Sequence, residues 1–296
     1  MELATLEDWL VASMIENTFC HIPGIGEKTE ERLWDAGLLT WPEMPTLIDR
    51  CPVSRSQRLR LMQNSEESRL RLLTRNTQYF AHRLPPRLHW RLFREFRESV
   101  AYVDIETTGL GEDDDYITTI ALYDGNRIRH YVHDQNLLEF REDINEYKLL
   151  VTYNGKCFDI PFLQRHLGIP MNIPHIDLRF VLRSLGYRGG LKSCEKQFGL
   201  HRGELDGVDG YFAVLLWQDY LRHDDERALE TLLAYNIEDV LSLETLMVGA
   251  YNLNLRGTPF ADCNRIAVGP QPESPLAADV GTIDRVMGDW MAWRTA

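Results

Sequence analysis

Asp104 and Glu106 are where this 296-residue chain first offers residue types and a spacing that could do chemistry. They stand two apart in Val100-Ala101-Tyr102-Val103-Asp104-Ile105-Glu106-Thr107-Thr108-Gly109. Apolar Val103 and Ile105 alternate with them, which is the period of a strand, and Gly109 is a natural stop. Side chains two apart on a strand share a face, so the two carboxylates project together. Neighbouring carboxylates are costly unless something positive sits between them. Such a pair reads either as a solvated strand end or as part of an oxygen-donor site for a divalent ion. Two later stretches favour the ion. One is Asn154-Gly155-Lys156-Cys157-Phe158-Asp159, after the apolar run Leu149-Leu150-Val151. The other is Tyr235-Asn236-Ile237-Glu238-Asp239, where Leu229, Leu232, Leu233 and Ile237 trace a helical stripe. The i,i+4 spacing sets Tyr235 and Asp239 on one helix face, a turn apart.

Asp-x-Glu, Asn-x-x-x-Phe-Asp and Tyr-x-x-x-Asp, in this order, resemble the motifs of the DEDDy 3′–5′ exonucleases of the RNase H-like superfamily. Proofreading domains of family B DNA polymerases belong to that group. From its start to about Asn252 the sequence also resembles the YprB-type RNase H-like exonucleases. The resemblance implies hydrolysis of phosphodiester bonds with two divalent cations, Mg²⁺ or Mn²⁺. Asp104 would bridge both ions, Glu106 and Asp239 would complete the first, and Asp159 would hold the second, partly through water. A pair of ions roughly 3.5–4 Å apart activates water, relieves phosphate charge and helps the leaving oxygen. Tyr235 would orient the attacking water. With a hydroxyl pKa near ~10 it is expected neutral, positioning water more than deprotonating it. Thr107, Asn154 and Phe158 match the substrate end, where Phe158 would stack on or wedge behind the terminal base. The same chemistry on RNA, a structure-specific DNA endonuclease and a non-catalytic DNA-binding adaptor remain as alternatives; the intact acids argue against the last.

The elements that must position these residues follow from the chain in order. Residues 5–17 carry Leu6, Trp9, Leu10 and Met14 on one helical stripe. Ile22-Pro23-Gly24-Ile25-Gly26-Glu27-Lys28 then makes a glycine turn into a second helix that Gly37 would cap. This resembles a helix-hairpin-helix, a module that binds DNA backbones. Amides at Gly24 and Gly26 could cradle a phosphate, with Lys28 adding charge. Thr40, Pro42 and Glu43 signal another helix start. Residues 54–80 are arginine-rich and helical in pattern. With Tyr79, Phe80, Trp90 and Phe93 they read either as a solvated basic face or as a single-strand channel. Past Gly109, strands are expected at 117–123, 128–132 and 149–153, with a short one at 175–178. A helix is expected near 137–147, another opening at Asp159, and one from Gly189-Gly190. Asp177 reads as an N-cap. Beyond Asn252, Pro259, Pro270, Pro272 and Pro275 mark a linker, and Thr282 would cap a last amphipathic helix carrying Trp290.

The fold expected is α/β: an RNase H-like mixed sheet of five to six strands flanked by helices, preceded by a small all-α region. Expected boundaries are a helix-hairpin-helix at 1–48, a basic helical linker at 49–98, the nuclease domain at 99–255, and a linker with a terminal helix at 256–296. The net charge of −13 is unevenly spread. Residues 50–98 hold 12 Arg against four Glu, or +8, leaving −21 for the remainder. That asymmetry suggests a basic arm beside an acidic body; the exonuclease resemblance implies nucleic acid as partner, and the hairpin tips it toward DNA over RNA. No apolar run approaches the ~20 residues of a membrane span. Five scattered cysteines without a Cys-x-x-Cys pair argue against disulfides or a zinc ribbon and fit a cytoplasmic protein.

Overall fold

The structure is a computed structural model that describes residues 13–112, 114–205, 208, 210–270 and 272–295. The chain forms two compact units, one of Met1–Glu98 with Val248–Ala267, the other of Ser99–Met247 with Val268–Ala296. All five cysteines are free.

In the first unit, most of the helix expected at 5–17 lies outside the described residues. Residues 14–17 form a turn instead, closed by Asn17 N donating to Ser13 O (3.1 Å). The Pro23-Gly24 turn follows, with Gly24 at φ +81°, a backbone state that glycine adopts without a Cβ clash. Gly26 N-caps α1 (Glu27–Asp35). Leu38 N donates back to Leu33 O (3.0 Å) and Gly37 has φ +85°, the glycine-terminated helix end expected there. Glu43 accepts from Thr40 N (2.8 Å), but only a 3₁₀ turn and the short Met44–Leu47 helix follow. A Ser54–Gln57 capping box opens α2 (Arg55–Leu73), and α3 (Thr77–Arg83) comes next.

The core of this unit is aromatic, built on Phe19, Trp34, Trp41, Phe80, Phe93 and Phe96. Arg91 is only 4% exposed and pairs with Glu30 (2.8 Å). The Glu30 carboxylate also takes Phe19 N and Cys20 N (2.6 and 3.0 Å), the extra hydrogen bonds a buried ion pair needs to offset desolvation. Tyr79, Phe80, Trp90 and Phe93 are all buried, so the stacking channel proposed for them is corrected: these rings fill the core. Residues 256–267 pack in the same unit, with Phe260 edge-on to Trp34 (5.3 Å) and Asn264 donating to Asn17 (2.8 Å).

The second unit is built on a five-stranded sheet of order β3-β2-β1-β4-β5. Its strands are β1 (Val100–Thr107), β2 (Ile117–Tyr123), β3 (Ile128–Val132), β4 (Leu149–Thr152) and β5 (His175–Asp177). The first three are antiparallel; β4 and β5 join parallel to β1, which is the mixed sheet expected from the sequence. Only the short Phe140–Asp143 helix, flanked by 3₁₀ turns, forms where a helix is expected near 137–147. The longer helices are α4 (Asp159–Leu167), α5 (Leu178–Ser184), α6 (Leu191–Phe198), α7 (Gly210–His223), α8 (Glu226–Leu255), whose residues from Val248 on belong to the first unit, and α9 (Val280–Thr295). Ala101, Val103 and Ile105 of β1 enter a core with Phe140, Phe162 and Leu163. Because strand side chains alternate, Asp104 and Glu106 face the other way.

A second core joins Phe212, Leu216 and Trp217 of α7 to Leu229, Leu232 and Tyr235 of α8. The last helix docks here: Val286 is buried in this core, with Ile283 and Met287 packed against it. Arg285 donates to both oxygens of Asp219 (2.7 and 2.8 Å) and to Asp225 (2.8 Å). The cap of α9 is Asp279, which accepts from Thr282 N (2.7 Å); Thr282, expected as the cap, is the buried third residue of the helix.

Candidate metal centre

Local structure delivers each acid differently. Asp104 and Glu106 come from the outward face of β1, ahead of a register shift between Glu106 and Thr107. Asp159 is the first residue of α4, where the amide dipoles of a helix start favour a negative charge. Asp239 comes from α8, one turn after Tyr235. Asp104, Glu106 and Asp239 each bring a carboxylate oxygen to within 4.8 Å of the other two. Asp159 stands beside them: its charge acts on Asp104 and Glu106, and the Ile105 backbone steadies it.

The electrostatics record the crowding. Burial, then the charges of Asp239, Glu106 and Asp159, hold the Asp104 carboxyl well above the usual carboxylate range. Glu106 is raised in the same way by burial and Asp239. Burial pushes Asp159 up to about 7. Asp239 is raised by burial, against the pull of Arg202. Oδ1 of Asp159 and Oδ1 of Asp239 are buried without a hydrogen-bond partner. A group of crowded hard oxygen donors, each carboxyl raised by burial and by its neighbours' charge and with Asp159 Oδ1 unpartnered, fits divalent cations. Among the described residues it is the only such cluster of three or more candidate ligands.

Several side chains around the acids carry no sequence signal. Asn236, fully buried, donates to Asp104 Oδ2 (2.7 Å) and accepts from Thr119 Oγ1 (3.1 Å), fixing the carboxylate's orientation. Lys192, at the start of α6, donates to the Tyr235 hydroxyl (2.5 Å) and to Val208 O. Arg202 is gripped by both oxygens of buried Glu195 (2.6 and 2.5 Å). Its Nη1 forms an ion pair with Asp239 Oδ1 without hydrogen-bond alignment. Burial, Asp239 and Glu106 push the Tyr235 phenol far above its ordinary pKa. Asp177 caps α5 through Arg179 N (3.0 Å), as its position predicts. It also accepts from Asn154 N (2.8 Å) and Lys156 N (3.0 Å), holding the loop that delivers Asp159.

The remaining sequence candidates have more local surroundings. Thr107 is buried and donates to Gly109 O (2.6 Å). Asn154 takes φ +67° and its side-chain oxygen meets the Arg179 guanidinium. Phe158 is half-buried against Phe162 (ring centroids 4.9 Å). In the first unit Gly24, Gly26 and Lys28 are exposed. The Arg60 side chain covers the Gly24 α-carbon, and Gln57 donates to Gly24 O (3.3 Å).

A mixed sheet with an acid cluster beside its central strand defines the class of protein. The chain belongs to the RNase_H superfamily, which it matches over residues 101–251. It is 31% identical over 181 residues to the uncharacterized protein YprB of Bacillus subtilis (strain 168), an alignment covering 51% of this chain and 42% of that one. The chain thus spans less than half the length of that relative. Among solved structures it is similar to the family B DNA polymerase of Pyrobaculum calidifontis, at a TM-score of 0.41 and 20% identity, over 58% of this chain and 28% of the polymerase. No helix among the described residues is long and apolar enough to cross a membrane.

Proposed function

We propose that the protein is a metal-dependent 3′–5′ exonuclease of the DEDDy type, acting on DNA in the cytoplasm. The observation that carries this reading is the convergence of Asp104, Glu106 and Asp239 oxygens within 4.8 Å, in a superfamily member, with Tyr235 one helical turn from Asp239. Asp104, Glu106, Asp159 and Asp239 are the residues that would hold two divalent ions, Mg²⁺ or Mn²⁺. Bound there, the ions supply an activated water and relief of phosphate charge. The chain's own groups do the positioning. Asn236 keeps Asp104 aimed at the cluster. The Tyr235 oxygen accepts from Lys192, so its own proton remains available to orient a water. With its pKa raised, the phenol keeps that proton and positions the water without acting as base.

Thr107, Asn154 and Phe158 form the substrate end in this reading. Residues 1–48 bind the DNA backbone through Gly24, Gly26 and Lys28, and residues 99–255 are the catalytic domain. Five free cysteines are in keeping with a reducing compartment. The test is digestion of end-labelled single-stranded DNA, duplex DNA and RNA with Mg²⁺, Mn²⁺ or chelator. The expected result is a ladder shortening from the 3′ end of DNA, only when metal is present. Cleavage confined to RNA, internal cuts, or no metal-dependent product would each overturn it.

A further inference from the structure

A cleft of about 630 Å³ in the second unit is lined by Tyr153, Asn154, Arg179, Arg183, Tyr187 and Arg188, together with the Gly189-Gly190-Leu191 entry to α6. Its lining holds three arginines and no acid, in a chain whose net charge is −13. Among the described residues neither Arg183 nor Arg188 is in an ion pair, and both are exposed. The carboxylate nearest the cleft's sequence, Asp177, is 2% exposed and its oxygens are taken by Asn154 N, Lys156 N and Arg179 N. Arg179 is held along the wall by the Asn154 side-chain oxygen.

The wall also has built backbone. Gly189 has φ +112°, and a Cβ there would lie 2.6 Å from Ser193 Cβ and Oγ, so glycine is required for the chain to turn into α6. Tyr153 fastens that turn by donating to Gly189 O (2.7 Å). Gly190, the N-cap, has open space around its α-carbon and no side chain capping the helix. The cleft thus combines guanidinium groups, an uncapped helix start and two phenol rings. The same loops lead to the acid cluster: Asn154 precedes Asp159, and Leu191 precedes Lys192, which bonds Tyr235.

We infer that this cleft binds the single-stranded stretch of nucleic acid adjoining the scissile bond, Arg179, Arg183 and Arg188 taking its phosphates and Tyr153 and Tyr187 lying against its sugars and bases. Unpaired phosphate charge selects cationic groups without competing carboxylates. Phenol faces on a concave wall suit bases that are not stacked in a duplex. The inference rests on the nuclease reading for the identity of the strand, but its test does not require cleavage.

Binding of a short fluorescein-labelled oligothymidylate is measured by anisotropy in chelator, across a salt series, for the wild type and for Arg183→Ala with Arg188→Ala. A second variant carries Arg183→Glu and Arg188→Glu. The double alanine variant is expected to bind tenfold or more weakly, with a salt slope lower by about 1.4, roughly 0.7 per single-strand phosphate contact. Charge reversal should weaken binding further, with both variants keeping the wild-type melting temperature. Wild-type affinity and slope in the variants, or no binding by the wild type, overturns the inference. Arginine-dependent binding by a protein that cleaves nothing leaves the cleft standing and removes the nuclease reading. Cleavage with arginine-independent binding does the reverse.

Discussion

Asp104 is the residue on which most depends, because its carboxylate comes within 4.8 Å of oxygens of both Glu106 and Asp239 and is oriented by Asn236. Asp104→Ala is expected to abolish metal-dependent cleavage while single-strand binding in chelator stays within about threefold, of the size expected for a surface-like change of less than ~0.7 kcal/mol. The metal-free variant should melt no lower than the wild type, since one member of a repelling cluster is gone. Digestion assays and a thermal melt check both; turnover near wild type in Mn²⁺ would remove the acid cluster as the active centre. Tyr235→Phe keeps the ring in its buried place and deletes only the hydroxyl that Lys192 contacts. Its cleavage rate should fall on the order of 10²–10³, the usual cost of losing one group that orients a reacting water. A rate unchanged in single-turnover measurement would make the tyrosine a packing residue.

At the scale of elements, the sheet and its acids were legible because strand and helix periods are short-range signals. Period two on β1 put Asp104 and Glu106 on one face, and i,i+4 on α8 did the same for Tyr235 and Asp239. Lys192, Glu195 and Arg202 were not legible. They reach the acids from α6 and the segment after it, and no spacing along the chain encodes that meeting. The aromatic residues of 79–93 are ambiguous in sequence for a related reason: they form no clean stripe, and core and stacking surface draw on the same rings. The apolar side of the terminal helix is legible in the sequence, and α9 packs on α7 through Val286, Ile283 and Met287. Arg285, its strongest polar tether, was invisible because Asp219 lies 66 residues away. Truncation after Pro275 should destabilise the second unit on the order of 3 kcal/mol, given about 1.5–3 kcal/mol per buried aliphatic side chain. A urea melt of the truncated chain measures this, and an unchanged midpoint would mean that α9 adds nothing to the fold.

Across the whole molecule, two dependences on conditions follow from buried charge. His21 in the first unit is buried against Ser68 (2.7 Å), and burial lowers its pKa from 6.5 to about 3. Folded His21 stays neutral while the unfolded chain protonates near 6.5, so its contribution is intact above that pH. It is lost as pH falls from 6.5 toward 3, at about 1.4 kcal/mol per pH unit. Denaturant melts between pH 7 and 5 should show that slope as the difference between the wild type and His21→Gln, since the raised carboxyls of the acid cluster act in the opposite sense in both proteins; equal slopes in the two would mean that His21 contributes nothing. The second dependence is on metal. Mg²⁺ or Mn²⁺ should raise the melting temperature of the wild type by mass action, about 2.7 kcal/mol at a hundredfold excess over Kd, and leave Asp104→Ala unmoved.

The Glu195–Arg202 pair beside Asp239 has a consequence for the order of events in the protein's making. Many small metal-binding domains are unfolded until the ion arrives, because their ligands cannot be brought together alone. Here a guanidinium and the Lys192 ammonium already stand among the acids, so the polypeptide can close around them first. If the site is loaded as proposed, loading is a late and reversible step: a nascent chain would finish folding in a metal-poor environment, and a stripped one would stay assembled until ions return.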